Sequence, residues 1–360
     1  MYRIFLFFLL IACLCWSCNP FDKKPGKIVR KKGSNNVNIE IPDQWIEKVR
    51  HFDYSRDNKA LLHEFESFIK PDTLANPNAK HVDDDYGRIF NTMFIDLDGE
   101  PGEELICLLG WDIYCPDLCV FKQIDGSWHL IYIESINTFY SSPTLGVANC
   151  FSKNKTFYLR RVYDHGSGIY EDGYSFYKLI NTNVYHCLEL VNEAHVYGWG
   201  LYMNQEIKMS FEFAGDDSDK IGVDYTYNFF PGAIDKSDCS WCVNTDISLI
   251  KGEDRIYYEW DAKRMIYKPD EPLDKDNKSH VNDLNAKKIA CFGDFGNDSL
   301  FVEAFGMQIK EVLKNGTKQQ KKILTDYLVK VKKDKTVITE KIEKKSETGS
   351  TSFYGPVKKE

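Results

Sequence analysis

Five acidic side chains, Asp96, Asp98, Glu100, Glu103 and Glu104, crowd the stretch FIDLDGEPGEEL at residues 94–105. Oxygen donors at alternate positions of a tight turn suit a hard divalent cation, and calcium takes about six to eight of them. Without a metal, the same acids repel one another, and a lysine or backbone amides must offset the repulsion. A second stretch, VYDHGSGIYEDGYSFY, sets Asp164, His165 and Ser167 in a glycine-rich turn. Acyl transfer needs a serine activated by a histidine that an acid orients, and the three must converge in space. Neighbours in one turn rarely aim at one another. Glycine also stands directly on both sides of Ser167, with a strand pattern after it, which is not the strand-to-helix elbow of such hydrolases. Gly166, Gly168 and Gly173 read as turn residues, and Asp83-Asp84-Asp85 as a solvated run. The two acids of a glycosidase face each other across a cleft, a separation that sequence spacing does not set.

Eight cysteines follow Cys18. In an exported chain such an even set points to disulfides, whose connectivity is not readable from sequence. The close pairs Cys115–Cys119 and Cys239–Cys242 are the nearest candidates. A redox role for Cys239 and Cys242 is disfavoured, because a reactive pair sits at a helix N-terminus and this one precedes a strand-like run. Zinc is disfavoured by the long separation of the two pairs and by export.

The elements that position these groups are mostly strands. Phe90–Ile95, Glu104–Leu109, Leu118–Lys122 and His129–Ile133 alternate or run apolar, with turn signals at Asp98-Gly99 and Asp125-Gly126. Strand patterns continue in TFYLRRVY, GYSFYKLI, VYHCLELV, IKMSFEF, VDYTYNFF, TDISLI and DRIYYEW. Alternation suits antiparallel strands with one wet face. Crossover helices are missing, so a doubly wound sheet is disfavoured, and no blade-length repeat supports a propeller. Helical periods lie on the flanks. Pro42–Ile46 opens a short helix that Asp43 is placed to cap, and Leu61, Leu62, Phe65, Phe68 and Ile69 give residues 60–69 one apolar face. His63 reads as a surface residue of that helix. LFVEAFGMQIKEVLK forms a helix started by Asp298 or Ser299 and stopped at Asn315-Gly316, and QQKKILTDYLVKVKKDK forms another. The fold class expected is α+β: predominantly antiparallel β, as a meander, open barrel or sandwich, with flanking N- and C-terminal helices.

The acidic turn resembles the calcium turn of FG-GAP or VCBS-type repeats. That resemblance implies a structural calcium with Asp96, Asp98 and Glu100 as alternate ligands and Glu104 as the closing acid. Pro101 departs from it, since the family has glycine there and proline cannot take a positive φ. Glu103 has no counterpart and should face water. The likeness covers about a dozen residues of one copy, and it implies a turn-organising role and no chemistry.

The chain begins MYRIFLFFLLIACLCWSC: one positive charge, a short apolar run, then Ser17-Cys18. The run is shorter than the roughly 20 residues that span a bilayer, and it reads as a secretory signal. It resembles a bacterial lipoprotein signal, which implies cleavage before Cys18 and lipidation of that residue. Cys15 departs from the aliphatic residue usual three places before the modified cysteine, and Cys13 is a cramped alternative. Acyl chains on Cys18, palmitate among them, would tether the body to a membrane.

The domain reading is therefore 1–17 signal peptide, 18–41 anchor and flexible linker, 42–80 helical segment, 81–290 β-rich body, 291–344 helical region and 345–360 disordered tail. A formal net charge of −8 and a pI near 5.6 give no basis for a nucleic-acid partner. Tyr, Phe and Trp are abundant, and they serve both strands and binding surfaces. Two functions stay open. One is an envelope lipoprotein, at the outer membrane facing periplasm or surface, that binds a protein or glycan without catalysis. The other is an anchored hydrolase acting on a glycan or peptide.

Overall fold

A computed structural model describes residues 35–52, 59–69, 90–110, 116–136, 138, 143–148, 155–166, 168–197, 203–214, 219–232, 247–269 and 298–347. The signal peptide, Cys18, Asp83–Asp85, Ser167, Cys115, Cys150, Cys239, Cys242 and Cys291 lie outside them. By its contacts the chain divides into residues 1–36 and 37–360, and the fold below is that of the second unit.

Two mostly antiparallel sheets carry it. The first has the order β1 (Asn36–Ile41), β5 (Ser127–Ser135), β4 (Asp117–Ile124), β3 (Glu104–Leu109), β2 (Phe90–Ile95). The second is a meander of eight strands: β6 (Thr144–Val147), β7 (Thr156–Gly166), β8 (Ile169–Ile180), β9 (Asn183–Val196), β10 (Met203–Phe213), β11 (Lys220–Pro231), β12 (Ile250–Asp261) and β13 (Ile266–Pro269). It curls without closing into a barrel. Thr156 of β7 hydrogen-bonds the Tyr267 hydroxyl of β13 at 2.7 Å, and buried Lys178 of β8 pairs with Asp219 while lying 4.8 Å from the Trp260 ring centre. The α+β reading stands, with antiparallel strands dominant.

The period-two pattern explains why β3, ELICLL, is buried at every position. Leu105, Cys107 and Leu109 face helices α1 (Asp43–Arg50) and α2 (Lys59–Phe68), whereas Ile106 and Leu108 face the second sheet. Trp45 anchors the helical side. Its ring stacks on Phe65 at 5.2 Å and meets Phe121 at 5.6 Å, while its N–H donates to the Leu61 carbonyl at 3.0 Å. Burying a ring of that size contributes on the order of 4–6 kcal/mol. On the other side Ile106, Leu108, Leu118 and Val120 meet Phe157, Tyr177 and Leu179. The far end of the second sheet is covered by α3 (Asp298–Ala304), α4 (Gly306–Asn315) and α5 (Lys318–Glu347), where Phe301 and Phe305 pack on Phe229. Among the described residues, no helix is long and apolar enough to cross a membrane.

Several expectations change. β1 falls inside the stretch read as linker, because Val37, Ile39 and Ile41 alternate and lean on the α1 core. Pro42, and not Asp43, holds the cap position of α1, with no side-chain cap bond. Of the described residues of TDISLI, Ile250 alone is in a strand and Leu249 is in a bend, while Thr245 and Asp246 lie outside the described residues. The helix expected across residues 300–314 breaks at Phe305, which is buried against Tyr227 and Phe229. α5 runs to Glu347, three residues into the expected tail. Cys119 is buried directly opposite Cys107 in the register, and Cys115, its expected partner, lies outside the described residues. The Cys119 side chain points into the α1–α2 core, where Cys107 is its cross-strand neighbour.

Candidate functional site

The acidic turn joins β2 to β3, with Ile95 opposite Glu104, and is the hairpin its sequence predicts. Local amides bind three of its acids. Asp96 accepts from the Gly99 N–H at 2.7 Å, Asp98 from the Glu100 N–H at 3.1 Å, and Glu104 from the Leu97 N–H at 2.8 Å. Positive φ falls at Gly99 (72°) and Gly102 (128°), so the glycine conformation missing at Pro101 appears one residue later. Glu103 is exposed and pairs with Arg50 at 3.0 Å.

The centre of the turn is filled from β4. The Lys122 ammonium donates to Asp98, to Glu100 at 2.8 Å and to Glu104 at 3.3 Å. Lys122, Asp98 and Glu104 are 8%, 5% and 5% exposed, while Glu100 reaches solvent. Burial alone would lower the Lys122 pKa. Hydrogen bonds to Asp98 and Glu100, with the Glu104 charge, outweigh it and raise the value. Burial raises Glu104, aided by the Asp98 charge and opposed by the Leu97 N–H and Lys122. Carboxylate oxygens of Asp96, Asp98 and Glu104 lie within 4.8 Å of one another, so the donor set suits a hard cation in type. The ammonium of Lys122 already converges on Asp98, Glu100 and Glu104 of the four expected ligands.

The stretch at residues 162–177 forms a hairpin rather than a catalytic elbow. Asp164 accepts from the N–H of its own neighbour His165 at 2.7 Å, and the His165 ring lies edge-on to Tyr170. Gly166 and Gly168 supply positive φ at the turn. Gly173 does something else. It sits within β8, where a Cβ would fall 2.4 Å from the Leu190 carbonyl, so a bulge in β9 comes too close for any side chain.

A second polar cluster escaped sequence reasoning, because its members come from β5, β7, β8 and β9. His186 lies 4.0 Å from Glu134 and 3.5 Å from Glu189, and it stacks on Tyr177. Arg161 pairs with Glu189 at 3.1 Å and lies over the Tyr163 ring. Glu171 of β8 belongs to the same region. Burial first, then the charges of Asp164, Glu189 and Asp172, push it from 4.5 to about 8. Asp172, 1% exposed, is fully met by contrast. It takes the Arg160 guanidinium, the Asn192 amide at 2.8 Å and the Glu193 N–H at 2.9 Å.

Beyond this cluster His165, Tyr170, His195 and Glu206 stand abreast on four neighbouring strands. Tyr170 and Tyr197 both stack on His195, and the Tyr197 hydroxyl donates to Glu206. Glu206 alternates along β10 with buried Ile207, which puts the row on the solvent side of the sheet. Comparison with protein-family models, curated proteins and solved structures finds no match to this chain.

Proposed function

We propose that the chain is a lipid-anchored protein of the bacterial cell envelope, at the outer membrane, whose β-rich body binds a protein or glycan without catalysing a reaction. The observation that carries this reading is the engagement of its acids and bases with one another. Asp98, Glu100 and Glu104 converge on Lys122, and Asp172 on Arg160. Groups held in this way shape a body and are poorly placed to exchange protons with a substrate. Lys122 takes the role that calcium plays in the turns this loop resembles. The row of His165, Tyr170, His195 and Tyr197 offers a rigid aromatic surface of the kind that binding faces use. Lipidation of Cys18 supplies the tether. Intact-mass analysis of detergent-extracted native protein should show an acylated chain beginning at Cys18. Binding is tested by photo-crosslinking from Tyr197 in envelope preparations, with Tyr170→Ala reducing the adduct. A soluble chain without acyl mass, together with crosslinking indifferent to Tyr170, contradicts the reading.

Glu171 favours a second reading, the anchored hydrolase. A carboxyl that keeps its proton near neutral pH can act as a general acid, and Asp164 and Glu189 lie close enough to act on its charge. Release of reducing ends from peptidoglycan, or of new amines from envelope protein, that Glu171→Gln abolishes would select this reading over the first.

A further inference from the structure

We infer that Cys107 and Cys119 are a disulfide-forming pair, a cross-strand staple between β3 and β4. They are directly opposite in the register, between Ile106↔Val120 and Leu108↔Leu118. Directly opposed residues of antiparallel strands have Cα atoms about 4.5–5.5 Å apart, inside the roughly 4.4–6.8 Å that a disulfide spans. Opposed side chains share a face, and both thiols belong to the core that meets α1 and α2. The β3–β4 register runs unbroken through the pair, and the nearby shift belongs to the β4–β5 pairing on the other edge of β4. Both are free thiols in this structure, at 0% exposure. Among the described residues the remaining cysteine is Cys187, whose thiol donates to the Phe176 carbonyl at 3.1 Å.

Burial raises both thiols well above their ordinary range, and the Asp117 and Cys107 charges add to the rise at Cys119. Once α1 and α2 have docked, neither is a ready nucleophile. The bond therefore forms during folding, after the β3–β4 hairpin and before the helices cover it. One thiolate attacks a disulfide oxidant and expels one of its sulfurs as a thiol. The second thiolate then displaces the other sulfur. Two protons leave the cysteines, two electrons pass to the oxidant, and one S–S bond replaces another. In a cell this requires the oxidising compartment that the envelope reading supplies.

Refolding the full chain tests the pairing apart from that compartment. Reduced, unfolded protein is refolded in a mixture of reduced and oxidised glutathione. It is then denatured, blocked with N-ethylmaleimide, reduced and labelled with iodoacetamide. Cleavage after acidic residues separates all three relevant cysteines, because Glu104, Asp112, Asp117 and Asp125 bracket Cys107, Cys115 and Cys119 in turn. The expected result is iodoacetamide label on Cys107 and Cys119, a linked peptide pair before reduction, and a Tm several degrees above that of the reduced chain. Cys119→Ala should leave Cys107 blocked by maleimide and remove the Tm difference. A chain that regains its β-sheet spectrum with both thiols blocked overturns the proposal, as does a Cys115–Cys119 link. If the chain does not refold, the same map on full-length protein exported to a bacterial periplasm decides with the same two outcomes. Pairing in glutathione but free thiols in the native host would count against export and leave the pairing intact.

Discussion

Two regions of this protein concentrate acids, and they handle them in opposite ways. In the β2–β3 turn, buried Asp98 and Glu104 share one ammonium, that of Lys122, and accept N–H bonds from their own loop. Around β8, Glu171 is half-buried among further acids, with Asp164, Glu189 and Asp172 all raising its pKa. Charge density is similar, but the response differs. The first region sets the Lys122 ammonium against its carboxylates, and the second, with no cation at Glu171 among the causes of its shift, relieves the charge by holding a proton. Acid count in a sequence therefore does not separate an ion-pair knot from a protonated carboxyl. What separates them is the strand that lies alongside.

Removing the cation should have the largest effect. Lys122→Met leaves Asp98 and Glu104 buried without their partner, and a loss of roughly 3–5 kcal/mol is expected in urea unfolding at pH 7. Wild-type stability in that variant would mean that the turn does not depend on its cation. Glu171→Gln should act with the opposite sign and depend on pH. Below the ordinary Glu value of 4.5 both folded and unfolded chains carry the proton, and no penalty exists. As pH rises from 4.5 towards 8, the unfolded chain ionises first and the folded state loses stability. The variant lacks that loss and should be more stable than the parent at pH 9, on the order of 3–5 kcal/mol, with near-equality at pH 4. Thermal scans across that range would show the curves converge in acid. Parallel curves would mean that Glu171 keeps the ordinary carboxyl value and does not hold its proton.

Arg160→Ala sharpens the contrast from a third position. It takes the guanidinium from Asp172 but leaves the Asn192 and Glu193 donors in place, so the cost should be about 1–3 kcal/mol. Glu103→Gln is the control. It removes only the exposed pair with Arg50, and a change within about 0.5 kcal/mol is expected.

How far this was legible in the sequence depended on where the partners lie. β2 and β3 were readable to the residue, because apolar runs and Asp98-Gly99 bracket a local hairpin. Asp125-Gly126 likewise marks the β4–β5 turn, where both residues take positive φ. β6 and β13, four residues each, are too short for alternation to stand out, and β1 hides behind a basic stretch. Lys122 was not readable as the partner of the acidic turn. It follows Glu104 by 18 residues and meets it only through the β3–β4 register. The His186 cluster draws Glu134 and Arg161 from other strands, and no local spacing announces it. Gly173 was read as a turn glycine, but its cause is the close approach of β9.

In the proposed reading, Lys122 does for the acidic turn what calcium does in the turns it resembles. Calorimetric titration of chelator-treated protein with calcium tests it most directly, run on the parent, Lys122→Gln and Asp98→Asn. The parent should give no saturable heat at millimolar calcium, and saturable heat should appear once Lys122 is neutral and Asp98, Glu100 and Glu104 are freed beside Asp96. Saturable heat in the parent that vanishes in Asp98→Asn would contradict it and make the turn a calcium site.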